Sequence, residues 1–412
     1  MVSHTFGHRT RLIHGSHRNK DKDLNSHAFP IFQTSTFKYG SVEEGEQIFS
    51  GIANHDGYSR ISNPNHRFLE ERLCVLEEGE AAQVFDSGMS AIRVALSGFV
   101  EVGDHIVAHR NLYGGTCQLL KKLKRRSGVE TTFVDARYAP VVIQAITPMT
   151  KVVFLETPSN PMLDICDFAE ITAFVKSLRK NIVIIVDSTF GTPFNQKPIR
   201  HGVDIVIHSL TKYLNGSGRY LGGAIITSQE LMNKIWENHD GSGMMDAEVA
   251  ARIADNLVGA EDRMKRHNRN AERVVHYLTV HKNEILRQVY YPGKNNHPNF
   301  EVARRLMTYF GGMVSFELKD KDGTKTVSFL NQLSQDEKTG AGIISQLVSL
   351  GTTDTLICCP ARSTHKKISN EEKLAQGITD NLVRLSVGTE DVKDIIYSLE
   401  RGFRAIGGGE NW

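Results

Sequence analysis

Ser209, Thr211 and Lys212 follow directly on the short apolar run Ile205-Val206-Ile207. Burial at a strand tip disfavours an ammonium, so a lysine there is pushed toward its neutral, nucleophilic form. Schiff-base formation is the commonest use of such an amine. The two hydroxyls beside it suit an anion such as a phosphate. Asp187 closes the preceding apolar run, 182–186. Taken singly, each residue has a plainer reading: a loop lysine at the surface, a strand-end cap, hydroxyls bonded within a turn. Taken together they supply what pyridoxal 5'-phosphate (PLP) needs, a holder for its aldehyde, its ring nitrogen and its phosphate.

Such a set has to be carried by a sheet, and the flanking sequence reads as one. The spacing predicts a helix over 67–77, with Leu69, Leu73 and Leu76 on one face. A strand follows at 82–85. The turn 86–90 then opens a helix that runs to about Phe99. A glycine turn of that kind presents backbone N–H groups to an anion. Strands at 105–108, 130–134, 151–156, 181–187, 204–208 and 224–227 alternate with helices starting near 115, 141 and 168. This alternation predicts an α/β fold with a mostly parallel sheet covered on both faces. Ligands of such sheets bind beyond the carboxyl ends of the strands, where Glu156, Asp187 and His208 fall.

After about Asp246 the pattern changes. A long helical stretch, 247–278, is expected to break near Gly259, and strands at 288–291 and 312–318 follow. We read an N-terminal arm over 1–57, extended and partly packed on a neighbouring subunit. A PLP-binding domain spans 58–255, and a smaller α+β domain spans 256–412 with a loose tail.

Bulk properties narrow the partners. A chain of 412 residues suits about two or three domains. Its 49 basic and 47 acidic residues nearly cancel, which argues against a general polyanion field and a nucleic-acid partner. The K-K-L-K-R-R run at 121–126 reads as a solvated helix face. Five cysteines are scattered apart from the vicinal pair Cys358-Cys359, with no C-x-x-C spacing. No apolar leader is present, and no run approaches roughly 18 apolar residues. From these features we expect a reducing, cytoplasmic setting away from membranes. The 17 histidines lack ligand spacing, so no metal is expected.

Short motifs along the chain carry a resemblance. They are Y-S-R-I-S-N-P at 58–64, S-G-M at 87–89, L-Y-G-G-T at 112–116, E-T-P-S-N-P at 156–161 and V-D-S-T-F at 186–190. H-S-L-T-K-Y-L-N-G at 208–216, F-G-G-M-V-S-F at 310–316, V-S-L-G at 348–351, S-T-H at 363–365 and V-R-L-S-V-G-T-E-D at 383–391 complete the set. In this order they resemble the Cys/Met-metabolism family of PLP enzymes, over about residues 10–405. Its members include cystathionine γ-synthase, cystathionine γ-lyase, methionine γ-lyase and O-acylhomoserine sulfhydrylase.

The resemblance implies a fold type I, aspartate-aminotransferase-like architecture and a homo-oligomer built as a dimer of dimers. It implies Lys212 as the Schiff-base lysine and proton carrier, and Asp187 as the partner of the ring nitrogen. Gly88 and Met89, with Ser209 and Thr211, would hold the phosphate. Tyr113 would stack on the ring and assist proton transfer, and Asn160 would contact ring substituents. Arg384, aided by Ser349, would clamp the substrate α-carboxylate. Tyr58 and Arg60 would reach across to the neighbour's phosphate, with Tyr58 also near the substrate. The implied chemistry is γ-elimination or γ-replacement on an amino acid with a γ-leaving group, through an external aldimine and a vinylglycine-type intermediate. The alternatives are β-elimination from cystathionine and, from another class, a non-catalytic binding protein of the same fold. A nucleotide-binding α/β protein is a further option, countered by the missing G-x-G-x-x-G.

Departures from the family pattern accompany the matches. Ser188 replaces an asparagine, Arg219 an acid, and Asp354 a glutamate, while Arg362 stands where a serine is usual. We read Arg219, Asp354 and Arg362 as marks of an unusual γ-substituent or a specialised pathway. Gly115 lies where methionine γ-lyases carry a cysteine, which weighs against that activity. The family's helix is eroded across 248–257, with about three residues, near one helical turn, inserted before Arg263. That puts the wall it forms in doubt.

Overall fold

The computed structural model describes residues 6–14, 26–50, 56–178 and 181–408. Seven strands form the first sheet: β1 Ala81–Phe85, β2 His105–His109, β3 Glu130–Val134, β4 Thr150–Glu156, β5 Val183–Asp187, β6 Ile205–His208 and β7 Gly223–Thr227. Their order is β1-β7-β6-β5-β4-β2-β3. The run from β6 to β3 is parallel throughout, while β7 lies antiparallel to both of its neighbours. The sheet is therefore mostly parallel, as the sequence predicts. Its central strands are continuous Val/Ile runs because helices bury both faces. Helices Gly88–Ser97 and Gly114–Ser127 supply one core, and Phe168–Ser177 supplies the other.

The second sheet holds β8 Leu286–Tyr290, β9 Met313–Leu318, β10 Ser345–Gln346, β11 Leu356–Cys358 and β12 Leu382–Ser386, in the order β10-β11-β12-β9-β8. Its core joins these strands to helices Ala260–His281, Thr324–Thr339 and Val392–Arg404. No helix among the described residues is long and apolar enough to cross a membrane.

The N-terminal segment is less extended than expected. It contains helices His8–His14 and Val42–Phe49. The first forms because Leu12 is buried in one cluster with Leu69, Leu73 and Leu76 of helix Pro64–Glu77. A fully buried leucine of this kind stabilises by about 1.5–3 kcal/mol. Arg72 fastens the same helix by donating from Nε to the Leu12 carbonyl at 2.9 Å. Most of the tail, 409–412, lies outside the described residues.

The long helix does break at Gly259, into Ala247–Val258 and Ala260–His281. Erosion of the family pattern has not removed the first piece. Asp246 caps it, accepting the N–H groups of Glu248 at 2.8 Å and Val249 at 3.3 Å. The helix pair also braces the loop after Lys212. Arg263 donates to the carbonyls of Leu214 at 2.9 Å and Asn256 at 2.8 Å, and Asn256 donates to Asn215 Oδ1 at 2.7 Å.

Candidate active site

A cavity of about 380 Å³ lies at the carboxyl ends of the parallel strands and is closed by the second sheet. It is lined by Gly88, Met89, Tyr113, Asn160, Asp187, Ser209, Thr211, Lys212, Ser349 and Arg384. A larger cavity, about 910 Å³, lies between helices Pro64–Glu77 and Gln229–Glu237 and holds none of these residues.

Lys212 sits on a tight turn after β6, its N–H bonded to the Ser209 carbonyl at 3.2 Å. Its Nζ donates to Ser349 Oγ at 3.3 Å. Ser349 arrives from the second sheet because Gly351, at φ +74°, lets its loop lie on the lysine turn. A Cβ there would stand 2.7 Å from the Tyr213 nitrogen. Burial lowers the Lys212 ammonium to about 8, and the Arg384 charge acts in the same direction. Only the neutral amine attacks an aldehyde, and its fraction grows as pH rises. The rate of covalent PLP attachment to the apoenzyme is thus expected to rise through a midpoint near 8. Arg384→Ala should move that midpoint upward by removing the cation. A rate still climbing toward the ordinary lysine value of about 10.4 in the unmutated protein would contradict this.

One end of the cavity suits an anion. Helix Gly88–Ser97 starts there, with Ser87 Oγ accepting the Ser90 N–H at 3.2 Å. The first turn directs the Gly88 and Met89 N–H groups outward from the helix. A Cβ on Gly88 would meet Ser209 Cβ at 2.9 Å, so glycine permits the helix start to reach the 209–211 turn. The Thr211 hydroxyl also holds that turn, donating to the Gly222 carbonyl at 3.2 Å and accepting its N–H at 3.0 Å. Backbone N–H groups beside hydroxyls fit a phosphate.

The other end is acidic. Asp187 Oδ1 accepts the Thr189 N–H at 3.0 Å and the Thr189 hydroxyl at 2.6 Å. Burial raises the Asp187 carboxyl, and the Thr189 bonds oppose the rise. Beside it in register lies Glu156, whose Oε2 accepts the Tyr113 N–H at 2.8 Å and whose Oε1 accepts the Asn160 N–H at 2.9 Å. Arg384 on β12 is 2 % exposed. It donates to Asn160 Oδ1 at 3.1 Å and to the carbonyls of Val348 at 2.8 Å and Ser349 at 3.3 Å. No carboxylate pairs with this guanidinium among the described residues. A buried unpaired charge is costly, so the arrangement fits a carboxylate-bearing ligand. The residues present therefore fit PLP and an amino acid.

Other predicted residues stand elsewhere. Tyr58 and Arg60 do not line this cavity in their own chain. Arg60 lies over the Tyr58 ring, 5.3 Å from its centroid, and donates to the Asp240 carbonyl at 2.6 Å. Arg219, Asp354 and Arg362 do not line it either, and Arg362 instead faces Asp380 at 3.4 Å. At Gly115 a Cβ would stand 2.6 Å from the Tyr113 ring, so that ring occupies the space a side chain would need. His208, though at a strand end, bonds Glu77 Oε1 at 2.5 Å behind the sheet. Glu156 and Thr189 line the cavity and had no assigned role. The signal for Thr189 was its place two residues after a strand-end Asp, an Asx-turn spacing.

A buried lysine lowered to about 8 at the carboxyl ends of parallel strands marks a class, the PLP enzymes of fold type I. Over residues 9–404 the chain matches the Cys/Met metabolism PLP-dependent enzymes, and it belongs to that family. An L-methionine gamma-lyase of Fusobacterium nucleatum subsp. polymorphum is 42 % identical, the match covering 98 % of this chain and 100 % of that one. A cystathionine gamma-lyase of Bacillus subtilis (strain 168) is 35 % identical, covering 97 % and 99 %. The crystal structure of cystathionine gamma-lyase from Lactobacillus plantarum complexed with L-serine superposes with a TM-score of 0.88 at 34 % identity, covering 98 % and 100 %. The chain is thus a PLP-dependent enzyme.

Proposed function

We propose that this enzyme acts on an L-amino acid carrying a thioether at its γ-carbon. The reaction class is PLP-dependent γ-elimination or γ-replacement. One observation carries the site reading: a buried Arg384, with no carboxylate partner among the described residues, shares a cavity with a lysine lowered to about 8. Met89, Ile92, Leu221 and Val348 add an apolar lining that suits a thioether. Relatives named methionine gamma-lyase, at 42 % identity, outweigh the Gly115 argument against that substrate.

When bound, PLP supplies an electron sink for the electrons left as protons leave the α- and β-carbons. Lys212 would hold the cofactor's aldehyde, and its neutral amine would take the α-proton and return protons further along the substrate. Asp187 keeps the ring nitrogen protonated. Tyr113 covers the ring, and Asn160 meets its substituents. Gly88 and Met89 N–H groups, with Ser209 and Thr211, hold the phosphate. Arg384 and Ser349 orient the α-carboxylate, which aligns the α-proton with Lys212.

The same reading divides the chain at 57/58 and 255/256 and makes it a dimer of dimers. Tyr58 and Arg60 then serve the neighbouring subunit's phosphate, and Tyr58 its substrate. Arg60→Ala is expected to weaken PLP retention on dialysis without loss of the aldehyde link to Lys212. Undiminished retention would end the cross-subunit assignment. Five cysteines, all free, suit a reducing cytoplasm.

The function is tested by assaying methionine, cystathionine, O-acetylhomoserine and O-succinylhomoserine with product identification. Methionine or cystathionine should yield 2-oxobutyrate and ammonia. Pyruvate from cystathionine would establish β-elimination instead. Turnover of none of the four would sink the thioether reading and revive an unusual γ-substituent.

A further inference from the structure

We propose that Glu156 is a positioning residue: by holding the Tyr113 turn and Asn160 against each other, it aims Arg384 at the substrate carboxylate. The proposal rests on Arg384 being the carboxylate clamp.

Glu156 ends β4 and is 5 % exposed. No basic side chain pairs with it among the described residues. Burial, and then the charge of Asp187, push its carboxyl well above the usual range, while its two N–H bonds oppose this. A buried acid without a cation is a costly choice of residue. Its geometry supplies the reason. The two N–H groups it accepts come from different loops, one on each oxygen, at 2.8 and 2.9 Å. A carboxylate offers an acceptor on both sides, whereas a glutamine would turn an NH₂ toward one of those N–H groups.

The second loop leads on. Glu156 holds the Asn160 backbone, which leaves the Asn160 side chain free to accept from Arg384 Nη1 at 3.1 Å. Arg384 in turn holds the Val348 and Ser349 carbonyls, and Ser349 Oγ accepts from Lys212 Nζ at 3.3 Å. A continuous line of hydrogen bonds thus runs from Tyr113 through Glu156, Asn160 and Arg384 to Lys212. It crosses from the first sheet to the second. Contiguity alone does not establish coupling, so the test is energetic.

The probes are L-norleucine, which resembles methionine but lacks a leaving group, and pentylamine, which also lacks the carboxylate. Their dissociation constants are read from the absorbance of PLP-loaded enzyme. Glu156→Gln should weaken norleucine about fivefold or more beyond any loss for pentylamine. In an Arg384→Ala background that excess should vanish, because the two changes break one line. Equal losses for both probes, or an excess that persists without Arg384, would overturn the inference while leaving Arg384 as the clamp. Unchanged norleucine affinity in Arg384→Ala itself would overturn the clamp, and the inference with it. Should Glu156→Gln fail to fold, Asn160→Ala removes the side-chain link together with any contact to the PLP ring, and the pentylamine control subtracts the latter. It must show the same excess for norleucine, and its absence also overturns the proposal.

Discussion

Lys212→Ala is expected to abolish turnover. Lys212 is the only amine side chain lining the cavity among the described residues, so no neighbour is placed to replace it as holder or proton carrier. The loss is at least the roughly 10²–10⁴-fold of a positioned acid–base group, with the covalent hold on PLP lost as well. The fold should survive. The side chain gives up one 3.3 Å bond to Ser349, and its removal relieves a buried ammonium beside Arg384. An unchanged or raised Tm is therefore expected alongside the lost activity. Borohydride reduction of PLP-loaded enzyme, followed by peptide mapping, should label Lys212 in the unmutated chain and leave no labelled lysine in the variant. A label on another lysine would show that the assignment is wrong.

Arg384→Ala should chiefly impair substrate capture. The guanidinium is 2 % exposed and aligned by three acceptors before any substrate arrives, so little ordering remains to be done on binding. Removing one partner of a buried charge pair costs about 2–5 kcal/mol, which is roughly thirtyfold or more in affinity. KM should rise by that order, with a smaller change in kcat. Arg384→Lys should recover only part, since an ammonium cannot make the bidentate fork. If KM is unchanged, the carboxylate is held by another group.

Most strands of the first sheet were legible because they are short apolar runs ending at or next to a polar residue. That pattern also exposed Lys212 and Asp187. Helix Val42–Phe49 carried a signal that was overlooked: Ser41 and Glu44 have capping-box spacing, and Ser41 does accept the Glu44 N–H at 3.1 Å. Helix His8–His14 carried no comparable signal, because it depends on Leu12 meeting Leu69 and Leu73. Glu156 was visible as a strand end but its use was not, since its partners are the backbone N–H groups of two separate loops. Arg219 and Arg362 drew notice as departures from a pattern. A pattern marks position and says nothing of direction, and both lie off the cavity.

The order of residues alone thus determined the family, the alternation of strands and helices, and which side chains are chemically able to hold PLP. These depend on local periodicity and on residue type, which the sequence contains in full. Tertiary structure decided the rest. It brought Arg384 of the second sheet and Lys212 of the first into one cavity and lowered the lysine to about 8. It left Tyr58 and Arg60 outside that cavity. Burial and the approach of distant charges set these properties, and neither is a property of any one stretch of chain.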